Sequence, residues 1–297
     1  MKQPFDLGND SGYRAWREAK LANYPRSVDE LIVSINDPRT LSTSETNALA
    51  DRCKRANMAL YYAAGHLGAY KSLPHQFASQ LGLKRLEGNY LADDDGLSSI
   101  TPASDEGNVR GDYIPYTHKP INWHTDGYYN ALDRRILGML LHCVQDAETG
   151  GDNALLDHEI AYIQLRDTNP DYIAALMQPD AMTIPARMDE DNIARPEQSG
   201  PVFSVDETEG FLTMRYTART RSIEWKPDAL TQAAVNSLTE ILNDSEYLLR
   251  ARLVPGMGLI CNNVLHTRSA FTDTPDRRRL LYRGRYYDRL KFAPRSD

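Results

Sequence analysis

The chain has 297 residues, 41% hydrophobic and 25% charged, with a formal net charge of −7. That size and composition suit a globular protein with a substantial core and exclude a small scaffold that depends on disulfides. The acidic balance argues against a nucleic-acid partner, which needs a basic surface to displace counterions, but not against a small anionic substrate met by a few local arginines.

The opening segment MKQPFDLGND has no apolar signal core. No apolar run reaches the roughly 18 residues of a membrane span, so a cytoplasmic protein with no membrane partner is expected. Residues 1–40 are mixed in character and read as an N-terminal arm. Ser42 and Glu45 stand at capping-box spacing and open a predicted helix through Leu49, Cys53, Met58 and Leu60, ending near Gly65. A second short helix is expected after Pro74. Residues 92–112 are acidic and rich in Gly, Ser and Pro. They read as a solvated surface loop, placed where a substrate lid would sit.

From about residue 113 strands take over. Residues 136–144 (ILGMLLHCV) are almost continuously apolar, as in a strand buried on both faces. Residues 211–216, 250–254, 257–262 and 279–288 are further strand candidates. Helical insertions are predicted over 158–177 and from Pro227 through Leu230, Val235, Leu238 and Ile241. Cys53, Cys143 and Cys261 form no CxxC pair and are expected to be reduced and partly buried. The pattern predicts an α+β, mainly β fold. Its core is a double-stranded β-helix (jelly roll) over 111–297 with inserted helices, preceded by a helical part over 1–110, all in one domain.

Asn122-Trp123-His124-Thr125-Asp126 carries the chemistry. Side chains alternate along a strand, so His124 and Asp126 reach one metal ion from one side. His266 is the candidate third ligand. Two imidazoles and a carboxylate on one face of an octahedron leave open positions for co-substrate and O2, as non-haem Fe(II) oxygenases require. Arg279 follows His266 by 13 residues (279 − 266). Strand alternation puts Arg279 and Arg283 on one face, and a guanidinium inside a barrel grips a carboxylate through two parallel hydrogen bonds. Arg277 and Arg278 read as a solvated basic turn.

These pieces resemble the taurine dioxygenase-like (TauD/TfdA) family of Fe(II)/2-oxoglutarate oxygenases, with its γ-butyrobetaine hydroxylase and clavaminate synthase branches. The matching segments are residues 122–126, Gly150-Gly151-Asp152-Asn153, His266, and Arg-Arg-Leu-Leu-Tyr-Arg at 278–283, in the family's order. Residues 1–110 carry no matching motif. The resemblance implies that His124, Asp126 and His266 ligate Fe(II) and that Arg279 pairs with the far carboxylate of 2-oxoglutarate. Asn153 stands where many members carry a threonine that touches the same carboxylate, which is a departure. Arg283 matches an arginine that meets substrate or co-substrate in some relatives. The implied reaction is oxidative decarboxylation of 2-oxoglutarate with O2, coupled to hydroxylation of a small polar or charged metabolite, with or without later bond cleavage. Asp126 fills the position that related halogenases leave to chloride, which favours hydroxylation.

The substrate itself is not legible. Tyr116, Trp123, Tyr128 and Tyr129 either cage a trimethylammonium group or pack the barrel wall. Arg215, Arg219 and Arg221 alternate along a predicted strand and either receive an anionic substrate or form surface ion pairs. His142 reads as a hydrogen-bonded core residue, with His66, His75, His118 and His158 as spare histidines. A non-catalytic jelly-roll binding protein and a zinc hydrolase remain as alternatives, and the oligomeric state, homo-oligomer included, stays open.

Overall fold

The computed structural model of the protein describes residues 4–64, 70–88, 92–103, 109–189, 192–221 and 223–292. It is a mixed α/β structure. Its α-helices are α1 (Asp10–Asn23), α2 (Thr43–Ala56), α3 (Leu73–Gln80), α4 (His158–Thr168), α5 (Pro170–Leu176) and α6 (Ala229–Asp244). Two compact units divide the chain. One comprises Pro25–Asn122, Ile136–Leu155 and Leu249–Asp297, and the other Met1–Tyr24, Trp123–Arg135 and Leu156–Leu248. No helix among the described residues is long and apolar enough to cross a membrane.

The first of these units is built on a six-stranded sheet. Its strand order is Ile32–Ser34, Met58–Tyr62, Met257–Cys261, Gly138–Gln145, Leu280–Tyr286, Ser98–Ile100. The continuous apolar run becomes the Gly138–Gln145 strand, buried over its first six positions. The capping box closes as its spacing predicts, with Ser42 Oγ accepting from Glu45 N–H and Glu45 accepting from Ser42 N–H. The helix is shorter than the sequence reading, because Asn57 adopts a left-handed conformation (φ 54°) that ends α2. Met58 and Leu60 therefore fall on a strand. That strand pairs in parallel with Ile32–Ser34 and antiparallel with Met257–Cys261. Residues 98–100, expected as loop, also form an edge strand against Leu280–Tyr286. Residues 104–108 of the supposed lid lie outside the described residues. All three cysteines are free and buried.

Leu49, Phe77, Leu81, Leu140, Ile260 and Tyr286 pack this unit's core at 0–1% exposure. Each such side chain contributes roughly 1.5–3 kcal/mol by burial. Within it, the Tyr61 hydroxyl lies 2.9 Å from His142 Nδ1. Burial pushes the His142 pKa down from 6.5 to about 4. The folded state thus holds a neutral imidazole, while the unfolded chain takes up a proton below its ordinary pKa. Stability associated with His142 is full above pH 6.5 and lost as pH falls toward 4. In His142→Gln, the fall in urea midpoint between pH 7 and pH 4 is expected to be shallower than in the parent. An identical slope would show that His142 is not the titrating group.

A second, four-stranded sheet runs in the order Leu249–Ala251, Asn153–Leu156, Leu265–Arg268, Ile121–His124. A short ladder pairs Phe271–Thr272 with Thr149–Gly150.

In the other unit, α1 forms within what the sequence reading left as an arm. Its Tyr13 and Trp16, together with Phe5, pack around Tyr162 of α4. The predicted 158–177 helix is two helices. Asn169, extended because Pro170 follows, ends α4 and caps α5 through its side chain. Pro227 precedes the cap of α6 rather than opening it. Asp228 is the N-cap and accepts from Thr231 N–H. Short ladders complete the unit, among them Phe203–Val205 with Leu212–Met214 and the hairpin Arg187–Asp189/Asn192–Arg195.

Candidate active site

The Ile121–His124 strand stops at His124, but its extended geometry is held for another residue. Thr125 N–H donates to Tyr216 O, Tyr216 N–H donates back to Thr125 Oγ1, and His124 bridges Thr217. Thr125 is 1% exposed, so its neighbours on either side, His124 and Asp126, are fixed through a buried anchor. Their side chains approach with His124 Nε2 3.9 Å from Asp126 Oδ1.

His266 sits on the Leu265–Arg268 strand, the neighbour of Ile121–His124 in the four-stranded sheet. Its Nδ1 lies 3.0 Å from Val264 O. A carbonyl only accepts, so the proton is on Nδ1 and the Nε2 lone pair is left for a ligand. One atom each from His124, Asp126 and His266 lies within 4.8 Å of the other two. Asp126 and His266 are each 5% exposed. A carboxylate buried beside two imidazoles is costly unless a cation balances it, and this donor set suits Fe(II).

Arg279 lies just before the Leu280–Tyr286 strand and is 5% exposed. Its N–H donates to Asp273 Oδ1, and its guanidinium stands 5.0 Å from the Phe271 ring centre. Burial lowers its pKa below the usual arginine range. Among the described residues no carboxylate or carbonyl engages the guanidinium. The Gly150-Gly151 pair makes room for it. Both have positive φ (72° and 77°), a Cβ at Gly150 would collide with Ala270 O, and one at Gly151 would lie 3.1 Å from Arg279 Nε.

The other sequence candidates fall as follows. A bulge between Leu280 and Leu281 interrupts the alternation that would give Arg279 and Arg283 a common face, and Arg283 is half-buried. Asn153 is buried and donates from Nδ2 to Thr267 O at 2.7 Å. Arg277 makes a bidentate pair with Asp146. Arg215 is a buried clamp on main-chain carbonyls rather than a surface ion pair. It is 6% exposed and donates to the carbonyls of Tyr128, Met182 and Gln198. Tyr116 is buried with Arg110 over its ring, and Tyr128 and Tyr129 meet edge to face. His158 donates to Leu212 O, His75 stacks on Tyr286, and His66 lies outside the described residues.

Arg268 went unremarked in the sequence. It is 4% exposed and donates to the carbonyls of Ile114, Pro115, Thr117 and Lys119. Burial and the nearby Arg279 charge push its pKa down to about 9. Its signal was available, since it stands two residues past His266, the same step that joins His124 to Asp126.

Residues 75–284 match the family model described as taurine catabolism dioxygenase TauD, TfdA family. Two curated relatives are uridine-5'-phosphate dioxygenases. The one from Amycolatopsis sp. is 33% identical over 181 residues, covering 59% of this chain and 62% of the relative. The one from Streptomyces sp. is 31% identical over 176 residues, covering 57% and 62%. Each match thus spans less than two thirds of the relative's own length. Among solved structures, a taurine dioxygenase from Burkholderia xenovorans superposes with a TM-score of 0.57 at 18% identity, covering 89% of each chain. An asparagine oxygenase with Fe(II), hydroxyasparagine and succinate superposes at 0.57 and 15% identity, covering 86% of this chain and 93% of that one. With the family model covering most of its length, and the His-Asp-His cluster and the buried arginine in place, this chain belongs to the TauD, TfdA family.

Proposed function

We propose that the protein is an Fe(II)- and 2-oxoglutarate-dependent dioxygenase that uses O2 to hydroxylate a small polar metabolite. The observation that carries this is the convergence of His124, Asp126 and His266 within 4.8 Å. His124, Asp126 and His266 hold the iron, which supplies the oxidising chemistry when bound. Arg279 pairs with the far carboxylate of 2-oxoglutarate, its buried guanidinium making no carboxylate hydrogen bond among the described residues. Asn153 and Arg283 stand by in supporting roles, Asn153 through the amide hydrogen that Thr267 leaves free. The four- and six-stranded sheets form the two layers of a jelly roll within a single catalytic domain, supported by sequence-distant strands becoming neighbours, such as Met257–Cys261 beside Gly138–Gln145. The protein works as a cytoplasmic enzyme on a small molecule. The curated relatives point to a nucleoside monophosphate such as uridine 5'-phosphate.

The test is succinate release with Fe(II), 2-oxoglutarate and O2, screened over nucleoside monophosphates, amines, betaines, sulfonates and amino acids. Iron-dependent release stimulated by one class is expected. Release with zinc in place of iron, or none with any compound, would overturn the reading. For Arg279→Gln the KM for 2-oxoglutarate is expected to rise about tenfold or more, the cost of one charge-assisted pair. An unchanged KM would remove Arg279 from the co-substrate site.

A further inference from the structure

Three arginines gather beside the segment that follows the metal-binding pair. Arg187 and Arg195 face each other directly across the Arg187–Asp189/Asn192–Arg195 hairpin. Like charges opposed in a ladder destabilise it. The Arg195 guanidinium lies over the Tyr129 ring at 5.6 Å, and its Nε is buried without a hydrogen bond among the described residues. Arg219 donates from Nη1 to the Tyr128 hydroxyl at 3.2 Å. Burial pushes Arg195 below the usual arginine range, Tyr128 and Tyr129 oppose it, and the charges of Arg187 and Arg219 add to the lowering, so the three arginines share one field. Neither Arg195 nor Arg219 has a carboxylate partner among the described residues.

The position of this cluster is set by the metal-binding segment. Tyr128 and Tyr129 come two and three residues after Asp126, and Arg215 holds the Tyr128 carbonyl from behind. Arg219 comes two residues after Thr217, which bridges His124. Such a layout places like charges around the Tyr129 ring and the Tyr128 hydroxyl, close along the chain to the ligands. A phosphate monoester, dianionic with several acceptor oxygens, fits this arrangement. It neutralises the repulsion and accepts from guanidinium forks in a way a monopolar ammonium donor set would not reproduce.

We propose that Arg195 and Arg219, assisted by Arg187 and the Tyr128 hydroxyl, form the subsite that receives a phosphate group of the substrate. The inference rests on the oxygenase reading for its purpose, but it is tested by binding alone. Uridine 5'-phosphate, uridine and inorganic phosphate are titrated calorimetrically into the full chain, the parent and Arg195→Gln, Arg219→Gln, Arg195→Lys and Arg221→Gln. The parent is expected to bind uridine 5'-phosphate about tenfold or more tightly than uridine, with the difference shrinking in high salt. Arg195→Gln and Arg219→Gln each lose most of that preference, about tenfold for a charged hydrogen bond. Arg195→Lys keeps part of it, and Arg221→Gln, an exposed arginine outside the cluster, keeps all. Thermal melts unchanged from the parent establish that the variants are folded. The proposal falls if neither phosphate species outbinds uridine, or if folded Arg195→Gln and Arg219→Gln retain the preference. Iron-dependent succinate release stimulated equally by uridine and its phosphate would remove the subsite and leave the oxygenase standing. Phosphate preference without any succinate release would do the reverse.

Discussion

Asp126→Ala is expected to lower iron-dependent succinate formation by more than about 100-fold while the protein stays folded. Loss of a residue that merely orients a ligand already costs 10–100-fold in metal affinity or activity, and Asp126 is argued to be a ligand itself. It also supplies the negative charge among three donors whose other members are neutral imidazoles, so its removal weakens the hold on a divalent cation as well as opening a coordination position. Thr125 and Tyr216 keep the backbone in place through two hydrogen bonds that the substitution does not touch. Two measurements check this. Anaerobic Fe(II) titration should show weakened binding, and the succinate assay should show lost turnover at saturating 2-oxoglutarate. Turnover within tenfold of the parent would mean that the cluster at His124, Asp126 and His266 is not where the chemistry occurs.

The site was legible because its two halves are written in short-range code. The His124–Asp126 step needs only strand alternation, and the Gly150-Gly151 turn and Arg279 stand in a recognisable order around His266. The alternation argument stopped working where the backbone breaks its own period. The bulge after Leu280 separates Arg279 from Arg283, and nothing in Arg-Arg-Leu-Leu-Tyr-Arg announces a bulge. Arg215 illustrates a second limit. Its three carbonyl acceptors come from Tyr128, Met182 and Gln198, distant in sequence, so no local pattern could tell a structural clamp from a substrate ligand. Fold errors have the same origin. Met58 and Leu60 continue the apolar spacing of α2, but Asn57 turns left-handed and strand pairing with Leu259 and Cys261 outweighs local helix propensity. Helix α1 was missed because its buried face is aromatic, meeting Tyr162 from a part of the chain about 150 residues away.

Lys20→Met is expected to destabilise the protein by about 3–5 kcal/mol, the cost of removing one partner from a buried ion pair. Lys20 Nζ lies 2.6 Å from Asp157 and 2.5 Å from Glu159, with side-chain exposures of 5%, 0% and 13%. Burial by itself would lower the Lys20 pKa, but the two carboxylates outweigh it and hold it above the usual value. Asp157 is likewise held below its usual value by Lys20 against the opposing effect of burial. Methionine fills the space but leaves a fully buried carboxylate uncompensated. Asp157 also caps α4 by accepting from Glu159 N–H, a role asparagine can keep. The double variant Lys20→Met/Asp157→Asn is therefore expected to recover part of the loss. The pH dependence distinguishes this from a packing defect. A depressed Asp157 pKa gives stability that is present above the ordinary carboxylate range and fades as pH falls, so the Lys20→Met deficit should be largest near neutrality and shrink in acid. Urea unfolding at pH 7 and pH 4 measures both. A loss below about 1 kcal/mol at pH 7, or one that does not change with pH, would show that α1 is held to α4 by its aromatic contacts rather than by this pair.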